Sequence, residues 1–370
     1  MSGSKKSWPH WADSVARFHC ILDSVREIRS LANSDVASGA RGMLSVERGM
    51  RRRVFIKLVG GALVSSARVA RAQTYPSRPV RLIVGFPPGG TTDVVARIIG
   101  QWLSARLGAS FVIENRPGAG TNIATEEAVR APADGYTLLV ITPANTINAS
   151  FYDKLDFDFE RDIRPVASLI RSPYVLEVFP GFPAKTVPEL IAYARANPGK
   201  VNIASFGTGT ASHLSGEMFK MMADIEMLHV PYKGSAPMLT DLLGGQVQVA
   251  FDNLPASIEH IRAGKLRALA VTTAERSEMM PDVPTLGECL PGYETSSWLA
   301  IGAPSKTPTE IIVTLNKEIN AGLADPKVKG RLVDLGATVL AGSPADTAAL
   351  VAEETEKWRK AVKFSGAKPK

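Results

Sequence analysis

A strand that runs straight into a glycine-rich turn and then into a helix constrains this chain more than any other feature, and it occurs twice. In VRLIVGFPPGGTTDVVARIIGQWLSARLG, residues 80–108, Val80, Leu82, Ile83 and Val84 form an apolar run of buried-strand type. Pro87, Pro88, Gly89 and Gly90 end it at once. Thr91, Thr92 and Asp93 offer capping oxygens before Val94, Val95, Ile98, Ile99 and Leu103 recur with helical spacing, and Gly108 stops the helix. The echo is a strand at 201–206, the loop GTGTAS at 207–212 and a helix at 213–223. A glycine turn feeding a helix leaves backbone N–H groups pointing outward with the positive end of the dipole behind them, which suits a phosphate or a carboxylate. The first turn lacks the Lys of GxxxxGK[ST] and the third Gly of GxGxxG, which disfavours a nucleotide.

The same rhythm continues at 111–130, where a strand runs through the glycine turn RPGAGTN into a helix, and at 136–145, where the strand YTLLVI ends in the polar loop TPAN. Repetition of strand, loop and helix predicts a parallel sheet wrapped by helices, with ligands at the carboxyl ends of the strands. DFDFERD, 156–162, has Arg161 where a calcium loop needs Gly and no Glu at the twelfth position, so it reads as a solvated loop. Residues 165–179 read as strand, turn, strand. Thr186 and Glu189 make a capping box for a helix over 186–197. Strands follow at 228–232, 247–251, 266–272 and 298–302. Helices are predicted at 237–243, from Pro255 to about Gly264, at 308–323 and at 345–362.

Charge is distributed unevenly. Residues 1–72 hold 13 Lys/Arg and 5 Asp/Glu, a balance of +8, so the remaining 30 basic and 31 acidic residues leave −1. The overall +7 therefore belongs to the leader, and no nucleic-acid partner is expected of the body. The leader has the three parts of a signal peptide over 50–72: Met50-Arg51-Arg52-Arg53, the small apolar segment 58–67, and Ala70-Arg71-Ala72 before Gln73. RR-x-F-x-K at 52–57 matches a twin-arginine signal, and the segment is shorter than the ~20 apolar residues that span a bilayer. Signal peptides begin chains, so translation is expected to start at Met50 or Met43, with 1–49 an extension outside the fold. Cys289 is the one cysteine of the body, which excludes an internal disulfide there.

Metal and catalytic readings find little support. His213, His229 and His260 are scattered, without HExxH or CxxC, and His213 in the first turn of a helix reads as neutral and hydrogen-bonded. There is no G-x-S-x-G elbow, and Ser212 beside His213 is not a triad without an acid placed in space. Met218, Met221 and Met222 read as core filling. Asp93 reads as a cap. Asp252 could meet a ligand ammonium group or cap the helix from Pro255, and Phe86 could line a pocket or fill a hinge.

Several strings in fixed order resemble one family over 75–362: YPSRPVRLIVGFPPGGTTD, ENRPGAGTNIA, TPAN, SFGTGTASHLSGEMFK, VPYKGSAP, FDNLPASIEHIRAGKLRALAVT, PDVPTL, PGYETSSW and ADPKV. These resemble the solute-binding proteins of tripartite tricarboxylate transporters, the Bug proteins. The resemblance implies an α/β, two-lobed periplasmic-binding-protein fold of type II-like form, each lobe a sheet between helices. Domain 1 is expected to comprise 73–172 and 273–370, and domain 2 residues 173–272. It further implies a carboxylate held in the cleft by one turn from each lobe. The expected binding residues are Phe86, Gly89, Gly90, Thr91 and Thr92 in the first turn, with Asn145 beside it. The second turn supplies Ser205, Gly207, Thr208, Gly209, Thr210 and His213, together with Asp252. TPAN departs from the family in having Pro143 where a Ser/Gly-rich turn is usual. The implied partners are a small carboxylate and membrane permease subunits, with a monomeric, exported receptor and no cofactor. A ligand-sensing subunit and an exported hydrolase are the rival readings.

Overall fold

In the computed structural model, residues 75–365 are described. The signal peptide expected at 50–72, the extension expected at 1–49 and Cys20 lie outside them. Strand β1 (Val80–Val84) has both faces covered, which is why its sequence is almost continuously apolar. It is flanked in parallel by β2 (Phe111–Asn115) and β3 (Thr137–Ile141). The connections are the helices α1 (Thr91–Leu107) and α2 (Asn122–Val129). Gly108 ends α1 in the left-handed conformation, φ 71°, as its position just past the apolar stripe predicts. The TPAN segment is not a loop. It opens α3 (Pro143–Phe151), because Thr142 and Asn145 form a reciprocal capping box around Pro143. The acidic 156–162 segment likewise closes into one helical turn, α4 (Phe159–Asp162), with the Asp158 carboxylate accepting the Arg161 amide.

Strand β4 (Ile163–Val178) holds the sheet together. Its first part pairs antiparallel with β9 (Ser296–Pro304), as far as Pro173 opposite Ser296. From Tyr174 onward it pairs instead with β7 (Val249–Asn253) and β8 (Arg267–Val271). The sequence predicts a turn here, yet the strand is continuous. Pro173 sits where the partner changes, so its missing N–H leaves the interior of each ladder intact. Beyond β7 lie β5 (Asn202–Ser205) and β6 (Leu228–Pro231), both parallel. The strand order is β2-β1-β3-β9-β4-β7-β5-β6, with the short β10 (Thr338–Val339) also on β4.

Helices α5 (Val187–Ala196), α6 (Ala211–Met222), α7 (Ser235–Leu243) and α8 (Leu254–Arg262) connect the strands of the second half. Helix α9 (Thr309–Ala324) is followed by α10 (Pro326–Asp334), which has no counterpart among the expected elements. The Asp325 carboxylate caps it by accepting the Lys327 and Val328 amides. One core gathers Leu82, Val84, Ile99, Val140 and Leu315, and another Leu176, Val178, Phe219 and Phe251. A third joins Ile147 and Phe151 of α3 to Phe206, Leu214 and Met238, and is sealed by Trp358 of α11 (Pro344–Ser365). Among the described residues no helix is long and apolar enough to cross a membrane.

Candidate ligand cleft

The turns after β2 and β5 lie far apart in the strand order and yet meet, so the sheet is curled on itself. A Cβ placed on Gly120 would stand 3.1 Å from the Thr208 carbonyl oxygen, and one on Gly234 would stand 2.8 Å from Pro87 Cδ. Phe86 and Phe206 touch edge to face at 5.7 Å. Between these contacts is a cavity of about 300 Å³. Phe86, the 118–121 turn, Tyr152, Thr208 and Lys233 are among the residues that line it.

Its polar character is that of a donor cluster. Gly118, Ala119, Gly120 and Thr121 have φ of 136°, 46°, 59° and 81°, four consecutive positive values that include a β-branched residue. Such a run is retained only where the surroundings enforce it, and it turns successive amides toward one side. No hydrogen bond among the described residues uses the amides of Ala119, Gly120 or Thr208. Thr121 Oγ1 is buried without a partner. Burial raises the Tyr152 pKa, which keeps its hydroxyl a proton donor. Tyr232 is pushed up to about 12, by burial and then by Asp241, to which its hydroxyl donates at 2.7 Å. Lys233 is the only charged residue in the lining and makes no ion pair among the described residues. Free amides, hydroxyls and one ammonium group can together stabilise an anion.

The model of the tripartite tricarboxylate transporter family receptor matches residues 95–366. The chain belongs to that receptor family. The receptor is 38% identical over 316 residues to protein BugT of Bordetella pertussis, covering 84% of this chain and 97% of BugT. Among solved structures it is 43% identical to Rpa4515 of R. palustris with adipate, with a TM-score of 0.78, covering 80% of this chain and 100% of that one. It is 35% identical to the periplasmic binding protein BugD, with a TM-score of 0.77 and coverage of 80% and 100%. The fold, an α/β chain with a curled sheet between helices, is that of these periplasmic binding proteins.

Of the residues singled out from sequence, Phe86, Gly207, Thr208 and Thr210 line the cavity of the receptor. Pro87 lines it as well, whereas Gly89, Gly90, Thr91 and Thr92 lie outside the lining. A Cβ on Gly89 would face Ala236, and one on Gly90 would face Ser235, at 3.7 and 3.6 Å. Gly90 is the N-cap of α1, with no side-chain cap, and the buried Thr91 and Thr92 are already within the helix. Thr91 Oγ1 is buried without a partner. Asp93 caps the turn by accepting the Gly89 amide at 3.0 Å and binds Arg97 through both oxygens. Burial works to raise its pKa, but Arg97, the Gly89 amide and Asn115 outweigh it and hold it below the usual range.

Asn145 is consumed by its capping box and by a 2.8 Å bond to Thr125 Oγ1, both buried. Thr210 caps α6 by accepting the His213 amide. Behind the second turn, Ser205 Oγ lies 2.7 Å from His229 Nε2, and the Gly209 amide donates to His213 Nδ1 at 3.3 Å. The two imidazoles stack at 4.1 Å and 19°. His213, Glu217 and His229 are near enough to one another for a metal. Lys220 also holds both Glu217 oxygens at 2.8 Å. The bonds of Ser205 and Gly209 tie the second turn to these two imidazoles. Asp252 is fully buried, does not cap α8, and bonds instead to Ser235 Oγ and the Asn253 amide.

The 118–121 turn, Tyr152 and Lys233 are cleft residues that were not singled out. The string RPGAGTN carried a signal in its glycines. Left-handed Ala119 and Thr121 carried none, since neither residue type favours that conformation.

Proposed function

We propose that this receptor captures a small carboxylate in the curled-sheet cleft and delivers it to the membrane subunits of a tripartite tricarboxylate transporter. The observation that carries this reading is the lining itself: amides and hydroxyls without partners, Lys233 as the only charge, and no carboxylate. The adipate complex of Rpa4515, 43% identical, supports it. In this reading residues 50–72 direct export to the periplasm, where the receptor acts as a monomer and without enzymatic activity. Residues 73–172 with 273–370 form one lobe, 173–272 form the other, and both close on the ligand.

Lys233 is exposed, so solvent moderates its attraction for a second carboxylate. Lys233→Met is expected to weaken adipate by roughly 5- to 10-fold while leaving a monocarboxylate such as hexanoate within about 2-fold. Titration calorimetry measures both. Equal loss for the two acids would place Lys233 on the carboxylate they share, no loss for either would remove it from the contact, and failure of the unaltered receptor to bind any carboxylate would remove the function.

A further inference from the structure

A second cavity, of about 830 Å³, lies where β4 passes from β9 to β7 and β8. It is lined by Arg171, Ser172 and Pro173 of β4, by the segment after β8 that carries Glu275 and Glu278, and by α10 with Lys329. Ser172 is 2% exposed and its Oγ has no hydrogen-bond partner. The side chains of Arg171, Lys329, Glu275 and Glu278 are solvent-exposed and make no ion pair or hydrogen bond among the described residues. A third cation, Arg276, is already held by both oxygens of Glu288 at 2.8 and 2.7 Å.

Two unpaired cations and two unpaired carboxylates thus share one cavity without neutralising one another. A simple anion there would leave Glu275 and Glu278 beside it, and a simple cation would leave Arg171 and Lys329. A molecule with one carboxylate and one ammonium group answers both sets. We propose that this cavity is a second binding site, for a small zwitterion such as an amino acid or a short peptide with free termini. The inference stands independently of the carboxylate cleft.

The test uses three probes on the full chain: glycylglycine, N-acetylglycylglycine, which keeps only the carboxylate, and glycylglycinamide, which keeps only the ammonium group. The expected result by calorimetry is saturable binding of glycylglycine, with both single-charge analogues at least about 5-fold weaker. The Arg171→Ala/Lys329→Ala and Glu275→Ala/Glu278→Ala double variants should each lose glycylglycine binding while keeping the circular dichroism of the unaltered protein. Gly120→Val, which alters the carboxylate cleft, should retain it. Equal binding of the acetylated probe, binding that survives either double variant, or no binding of glycylglycine by the unaltered chain overturns the proposal.

Discussion

Gly120→Val is expected to abolish ligand capture while leaving the cores of the receptor intact. Gly120 has φ of 59°, and its Cβ position lies 3.1 Å from the Thr208 carbonyl, 3.3 Å from Asn148 Oδ1 and 3.4 Å from Tyr152 Oη. The nearest of these atoms is backbone and cannot swing aside. Two effects therefore act together. A β-branched residue in the left-handed region costs about 1–3 kcal/mol of strain, and its methyl groups push apart the turns after β2 and β5 that enclose the cavity. Affinity for a bound carboxylate should fall by about 100-fold or more, or roughly 3 kcal/mol, and ligand-induced compaction in small-angle scattering should disappear. Gly199→Val is the control, because φ there is 69° but nothing lies within 4 Å of its Cβ position. It should cost stability and spare affinity. A Gly120→Val receptor that binds and compacts like the unaltered one would mean that these turns do not close on a ligand.

The second large effect concerns acids that lie outside the cavity. Glu177 and Asp252 are both 0% exposed and are linked through Ser257, whose hydroxyl reaches Glu177 Oε1 at 2.9 Å and Asp252 Oδ2 at 3.4 Å. Glu177 Oε2 has no partner. Burial pushes Asp252 up to about 7, against the bonds it receives from Ser235 and the Asn253 amide. Burial and then the charge of Asp252 push Glu177 well above its usual range. Both folded-state values lie above the unfolded ones, so the folded chain binds more protons than the unfolded chain. This contribution to stability is full below about pH 4 and is lost as the pH rises through about 7. Glu177→Gln removes one such acid and the charge beside Asp252, and its amide oxygen can still accept the Ser257 bond. Thermal melts should coincide near pH 4 and separate by pH 8 in favour of Glu177→Gln. The gap should be about 1.4 kcal/mol per pKa unit removed. Parallel curves across that range would show that the pair does not titrate with unfolding.

What could be read from the sequence was what is decided within a dozen residues. β1 into α1 and β5 into α6 follow from apolar spacing, glycine breaks and capping oxygens, and all of these act locally. Helix α10 was open to the same rules through Asp325 and Pro326, but its stripe of buried residues is only Val328 and Leu332, too short for periodicity to register. Pro173 read as a turn because its tolerance within β4 depends on a change of partner that no local pattern encodes. The cleft was partly legible for the same reason. The sequence marks glycine turns as sites where backbone can approach an anion, but which turns face each other depends on how the sheet curls. That curl brings the 118–121 turn to Thr208 and sets residues 87–90 against 234–236. Asp252 shows the limit most clearly. A cap and a ligand contact both fit its neighbours in the chain, whereas its burial beside Glu177 comes from the pairing of β4 with β7 and the packing of Ser257.

In the proposed function the cavity recognises a carboxylate by its charge. Calorimetry with linear acids of four to eight carbons, each paired with its neutral amide of the same shape, tests it most directly. Saturable binding of at least one acid is expected, with a loss of about 100-fold or more for its amide, since the neutral amide oxygen accepts more weakly than a carboxylate and the NH2 group sets donors against donors. Amides that bind as tightly as their acids would contradict it.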